Sequence, residues 1–269
     1  MARVKKRFWS RPLAVLGVII LAAALAAGAV FAALYAYGFR YLKIPAGDDK
    51  FDKFLGIVDK SGDPHRGQIV YASGLTADVD AETGKIMYSN GDVYDGGMKD
   101  LRRDGLGTIV FKNGDKYEGM FVMDELTGQG TYTYSNGDVY EGGFIKGEKS
   151  GQGKYTWADG SIYEGGFSQD RKNGECVYKW ADGSSFEGTF VNDVKQGYGK
   201  YVYANGDTYE GNFEGDVRSG TGTYTWQNGE CYMGQFADNA PNGEGTYSWP
   251  DGRSYTGHFI NGEIVRVED

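Results

Sequence analysis

Cysteine and histidine are scarce, with two of each in 269 residues. Cys176 and Cys231 stand 55 positions apart, which in closely spaced strands places them on the order of 20 Å apart. A disulfide needs Cα atoms within about 7 Å, so they are expected to be separate thiols that reveal nothing of the redox compartment. His65 and His258 lie near opposite ends of the chain and cannot share a metal or a catalytic site. Carboxylates are plentiful but recur in register, so no pair stands out as acid and base. Gly-x-Gly steps such as Gly128-Gln129-Gly130 are not followed by a helix that could receive a phosphate. Helical periodicity is absent after Lys43, which excludes a helical second layer. These absences give the expectation of a protein that is not an enzyme and holds no cofactor and no metal.

Acidic residues are missing from the first 46 positions, which carry Arg3, Lys5, Lys6, Arg7, Arg11, Arg40 and Lys43. The remainder holds 21 basic against 37 acidic residues, a formal charge of −16 where the whole chain shows −9. Such a surface repels nucleic acid, and no nucleic-acid partner is expected. Leu13 to Phe39 is an uncharged run of 27 residues, and a membrane-crossing helix needs about 20. Five positive charges before it and two after it orient the N-terminus to the cytoplasm and the rest outside. The expectation is a single-pass signal-anchor protein attached to the membrane through its N-terminal helix. The alternative is a cleaved signal peptide ending near Ala24-Leu25-Ala26.

What the chain has in abundance is glycine and tyrosine, 44 and 21 residues, and they recur at a fixed period. Gly91, Gly114, Gly137, Gly160, Gly183, Gly206, Gly229 and Gly252 are spaced every 23 residues, the mark of a repeat array. Each follows Asn or Asp and separates two runs of Tyr, Trp, Phe, Thr and Val, which is a hairpin signal. Side-chain alternation then sets the loop length. A three-residue loop Ser135-Asn136-Gly137 pairs Tyr132 with Tyr140 and Gly130 with Gly142, gathering the rings over glycines on one face. Thr131, Thr133 and Glu141 take the other. Gly137 and its counterparts should hold positive φ, whereas Gly143, outside the repeat pattern, should tolerate a side chain.

Tyr-x-Gly-x-Phe, six loop residues, Gly-x-Gly-x-Tyr-x-Tyr or Trp, then x-Asn-Gly resembles the MORN (membrane occupation and recognition nexus) repeat from Tyr88 to about Gly262. The expected fold is all-β: an elongated single-layer antiparallel meander of repeated hairpins, preceded by one transmembrane α-helix. The expected divisions are a basic cytoplasmic tail (1–12), the helix (13–39), a linker (40–50), a degenerate capping repeat (51–87) and eight 23-residue repeats ending in a charged C-terminal edge (88–269). Many MORN proteins carry a loop rich in Lys and Arg, tied to proposed phosphoinositide binding. Here Asp100, Asp124, Glu125, Glu148, Asp170, Asp193, Asp216 and Asp238 dilute it. The resemblance also extends to the accessory part of some lipid kinases and of a protein methyltransferase, but no catalytic domain of either kind fits in this chain.

The solvated face carries Asp95, Glu118, Glu141, Glu164, Glu187 and Glu210, while the loop after each Phe carries Arg103, Lys149, Lys172, Lys195 and Arg218. Such rows also serve simply to keep a lone sheet soluble. Contiguous apolar surface marks a contact site more often than charged rows do. The ring-bearing face with Tyr134, Tyr140, Trp157, Tyr163, Trp180 and Phe186 is therefore the expected binding surface for a protein partner outside the cytoplasm. The alternative is a glycan stacking on the aromatic rows.

Overall fold

The computed structural model describes the backbone of residues 11–47 and 50–265, with side chains over 23–44 and 52–265. Most of the expected basic tail and the last four residues of the charged C-terminal edge lie outside the described residues. The chain divides into two compact units, 1–93 and 94–269.

The first unit holds the helix Arg11–Ala36 and the strands Phe39–Gly47, Lys50–Val58, Pro64–Val70, Thr76–Asp80 and Lys85–Tyr88. Each strand pairs antiparallel with the next. The segment expected as a linker is instead mostly strand. Phe39, Tyr41, Leu42 and Ile44 suit a pleated surface, and Tyr41 lies opposite Leu55 in the pairing with Lys50–Val58. The capping segment repeats the later design with smaller side chains. Gly56 pairs with Gly67, the Phe54 ring lies against Gly56, and Phe54, Ile69, Ala77, Val79 and Ile86 are buried.

The expected single-pass membrane placement, with a cytoplasmic N-terminus and the repeats outside, is contradicted by the helix content of the structure. Among the described residues no helix is long and apolar enough to cross a membrane.

In the second unit every strand from Arg102–Val110 to Glu263–Ile264 pairs antiparallel with its sequence neighbour. Two hairpins alternate. In the first, Tyr132 lies opposite Tyr140 and Gly130 opposite Gly142. The Tyr134 amide donates to Asp138 O at 2.9 Å and the Gly137 amide to Tyr134 O at 3.0 Å, enclosing the loop 135–137. Gly137 has φ +96°, and its seven counterparts lie between +86° and +102°.

The second hairpin replaces the six-residue loop. Ile145 pairs with Glu148 around Lys146-Gly147, whose φ values are +51° and +84°. Two consecutive left-handed residues match the right-handed twist of the flanking strands. The same turn recurs at Asn192-Asp193 and Asp238-Asn239. Lys149 and its counterparts are consequently strand residues.

Candidate functional site

The ring-bearing face begins with glycine. Tyr140 lies flat across Gly142 and Gly153, where an added Cβ would come within 2.5 Å of its hydroxyl oxygen or ring. That close approach lets a single sheet bury a large ring completely: Tyr94, Tyr117, Tyr140, Tyr163, Phe186, Tyr209 and Tyr232 are all 0 % exposed. The Tyr140 hydroxyl donates to Gly143 O at 3.0 Å, and burial pushes its pKa up to about 12. These rings alternate with phenylalanines in edge-to-face contact. Tyr140 meets Phe144 and Phe167 at 5.2 and 5.0 Å, and Phe186 meets Phe190 and Phe213 at 5.6 and 5.3 Å. Such pairs each add on the order of 1 kcal/mol beyond area burial.

A second file of rings runs beside this core and is only half buried. Trp157 stacks on Tyr178 at 5.1 Å, Tyr178 on Trp180 at 4.1 Å and Trp180 on Tyr201 at 5.3 Å. It continues through Tyr203, Tyr224, Trp226, Tyr247 and Trp249, and in the other direction through Tyr155 to Tyr134. The six expected binding residues therefore separate. Tyr134, Trp157 and Trp180 reach solvent along this outer file, whereas Tyr140, Tyr163 and Phe186 lie in the core beneath it.

Between the two files sit the bases. Lys149 Nζ is 5.8 Å from the Tyr140 ring centroid and 5.4 Å from that of Tyr155. Lys172 Nζ lies 5.1–5.9 Å from Trp157, Tyr163, Tyr178 and Phe190, and burial lowers its pKa. Lys149 and Lys195 are 15 % and 17 % exposed and pair with Asp170 and Asp216 at 3.6 and 3.1 Å. The same carboxylates accept the Lys149 and Lys195 amides at 2.9 and 3.0 Å, and Asp193 does so for Lys172 at 2.8 Å. These acids, read from sequence as diluting a basic loop, tie each repeat to the preceding one.

A further set of acids performs the same task at the other turn. Asp138 Oδ1 accepts the Ala158 amide at 2.8 Å and Asp138 Oδ2 the Tyr155 hydroxyl at 2.9 Å. Asp115 and Asp207 repeat this with Ser135 and Tyr132, and with Gln227 and Tyr224. The hydrogen bond donated by the Ala158 amide to Asp138, and that donated by the Tyr224 hydroxyl to Asp207, hold these carboxyls below the usual range. Their signal in the sequence is the acid that directly follows Asn-Gly.

The opposite face is polar. Cross-strand register lines up Thr131, Glu141, Lys154, Glu164, Val177, Glu187, Lys200 and Glu210 on successive strands. A trough of about 1260 Å³ runs beside that row. Cys176 and Cys231 are free thiols; burial pushes Cys176 up to about 11. Among the described residues no group of three or more His, Cys, Asp or Glu could hold a metal ion.

A family model described as MORN repeat matches seven consecutive segments, from 94–116 to 232–252. The chain belongs to the MORN-repeat family. The copy carrying Gly91 lies before the matched segments, in the first unit. No curated protein matches the sequence. Among solved structures, the TCP10 domain of Danio rerio CPAP in complex with a peptide of Danio rerio STIL is similar at 12 % identity, covering 82 % of this MORN protein and 100 % of that chain with a TM-score of 0.41. The SAS-4 (dCPAP) TCP domain of Drosophila melanogaster, in complex with a proline-rich motif of Ana2, is 16 % identical over 58 % of this chain and 86 % of that one, with a TM-score of 0.37. At scores this low neither likeness bears on function.

Proposed function

We propose that this MORN array is a non-enzymatic interaction module that binds a protein partner along the outer aromatic file. The observation that carries the reading is the continuous run of half-buried Trp and Tyr rings from Tyr134 to Trp249, locked in place by their own stacking. Rigid, amphipathic rings lose little entropy on binding and are enriched among the residues that dominate interface energetics. Glycan stacking is the weaker reading. It needs open ring faces, whereas Trp180 is sandwiched between Tyr178 and Tyr201 and offers its edge.

The test places a photo-cross-linking amino acid at Trp180 and, as a control, at Val122, which is 51 % exposed on another part of the sheet. In cells, a discrete protein adduct is expected at position 180 and not at 122. Equal labelling at both positions, or none at 180, overturns the reading.

A further inference from the structure

The trough on the polar face is independent of the aromatic file. Backbone at Gly142, Gly153, Gly165, Gly188 and Gly199 forms its floor, because the Tyr140 and Phe186 rings, and at Gly165 the facing Cys176, exclude side chains at these positions. One wall is the row Glu141, Glu164, Glu187 and Glu210; the other includes Gln152, Glu175 and Tyr198. The walls stand two residues apart along each strand, roughly 7 Å. That is too narrow for an α-helix, about 10 Å across with its side chains.

Charge and spacing define the occupant. Five carboxylates line the trough against Lys200 in its lining, with Lys154 standing between Glu141 and Glu164 in the same cross-strand row. Glu164 pairs with Lys154 at 3.5 Å and Glu210 accepts the Tyr198 hydroxyl at 2.9 Å. Among the described residues the side-chain carboxylates of Glu141, Glu175 and Glu187 have no hydrogen bond or ion pair, although their backbones pair within the sheet. The glutamate row draws on every second strand, so its members repeat at ~9.6 Å. A polyproline-II chain turns once in three residues and advances ~9.3 Å, returning every third side chain to the same side. An extended β-strand alternates sides and cannot keep that register. Tyr198, 62 % exposed, stands at the wall where a proline ring would pass.

We propose that the trough binds a basic segment in polyproline-II conformation, with Lys or Arg at every third position facing the glutamate row. The charge match provides attraction and the matching period provides selectivity.

The probe is a peptide of about four Arg-Pro-Pro triplets, titrated by fluorescence anisotropy into the full chain. Binding is expected to weaken with added salt and to drop at least about tenfold in the double variant Glu164→Gln/Glu187→Gln. These side chains are solvent-facing, and an unchanged urea midpoint will show that the fold is intact. A peptide of the same composition with its arginines clustered at one end is expected to bind at least about tenfold more weakly, and Trp180→Ala to have no effect. Equal binding of spaced and clustered peptides would reduce the interaction to net charge and overturn the proposal. So would full binding by the double variant, or loss of binding in Trp180→Ala, which would move the site to the aromatic file.

Discussion

A side chain at position 143 has to enter space occupied by the Ser150 carbonyl oxygen, which an added Cβ would strike. Sequence reading places Gly143 outside the repeat and makes it tolerant. The structure puts it at a bulge, where the register shifts between Gly142 and Phe144, and its carbonyl accepts the Tyr140 hydroxyl. Gly137→Val is expected to cost about 1–2 kcal/mol through left-handed strain. Gly143→Val should cost at least as much, on the order of 1–3 kcal/mol, through overpacking against backbone. Urea denaturation of both variants checks the order. The reason for the misreading is that only some repeats keep glycine at this position, Gly166 among them, while others carry Met120, Thr189, Asn212 or Gln235, so composition shows variability while the local backbone at 143 leaves no room. Lys172 presents the converse case. As a presumed loop base it looked solvated, yet it lies over four rings. Lys172→Met, which keeps the apolar stem, is expected to cost about 0.5–2 kcal/mol in the same assay, the range of a partly desolvated cation over aromatic faces.

At the scale of the hairpin, the acids after the turn glycines make the array sensitive to low pH. Asp115, Asp138 and Asp207 have folded pKa values below the ordinary carboxylate value. The unfolded chain therefore binds more protons in the window below about pH 4. Their contribution is fully present above that value and is lost as pH falls through the depressed folded values. The urea midpoint should be flat above about pH 5 on this account and decline below pH 4. The triple variant Asp115→Asn/Asp138→Asn/Asp207→Asn should start lower and decline less, a comparison that equilibrium unfolding across pH makes directly. The first hairpin was legible because parity fixes it: only an odd loop brings Tyr132 opposite Tyr140. The second was not, because its turn uses Lys146, Gln169 and Met123 at positive φ, residues that carry no turn signal. With that turn unread, the bases beyond it were placed in a loop and their bonds to Asp170, Asp193 and Asp216 stayed hidden.

For the second unit as a whole, each repeat leans on its neighbours through ring contacts and through hydrogen bonds that reach 20 or 21 residues ahead. Stability should then accumulate repeat by repeat. Deleting residues 140–162 joins Val139 to Tyr163 in register and is expected to leave a cooperatively folding chain with a lowered midpoint; deleting 140–159 breaks the period and should abolish cooperative folding. Circular dichroism melts distinguish the two. The core of this unit was readable from the spacing of rings and glycines, and so was the family. The division of the candidate face into a sealed core and an outer file was not, because Tyr140 and Tyr155 look alike in sequence. Their separation comes from glycine at 142 and 153, over which only Tyr140 can lie.

If the outer file carries the binding energy, affinity for the cross-linked partner reads it most directly. Trp157→Ala and Trp180→Ala, each first shown to be folded, should each weaken binding by more than about 1 kcal/mol. Reversal of Glu141, Glu164 and Glu187 to Lys should slow association at low salt and leave most of the affinity. A partner that tolerates both tryptophan changes and is lost on charge reversal would contradict the account and move its site to the acidic face.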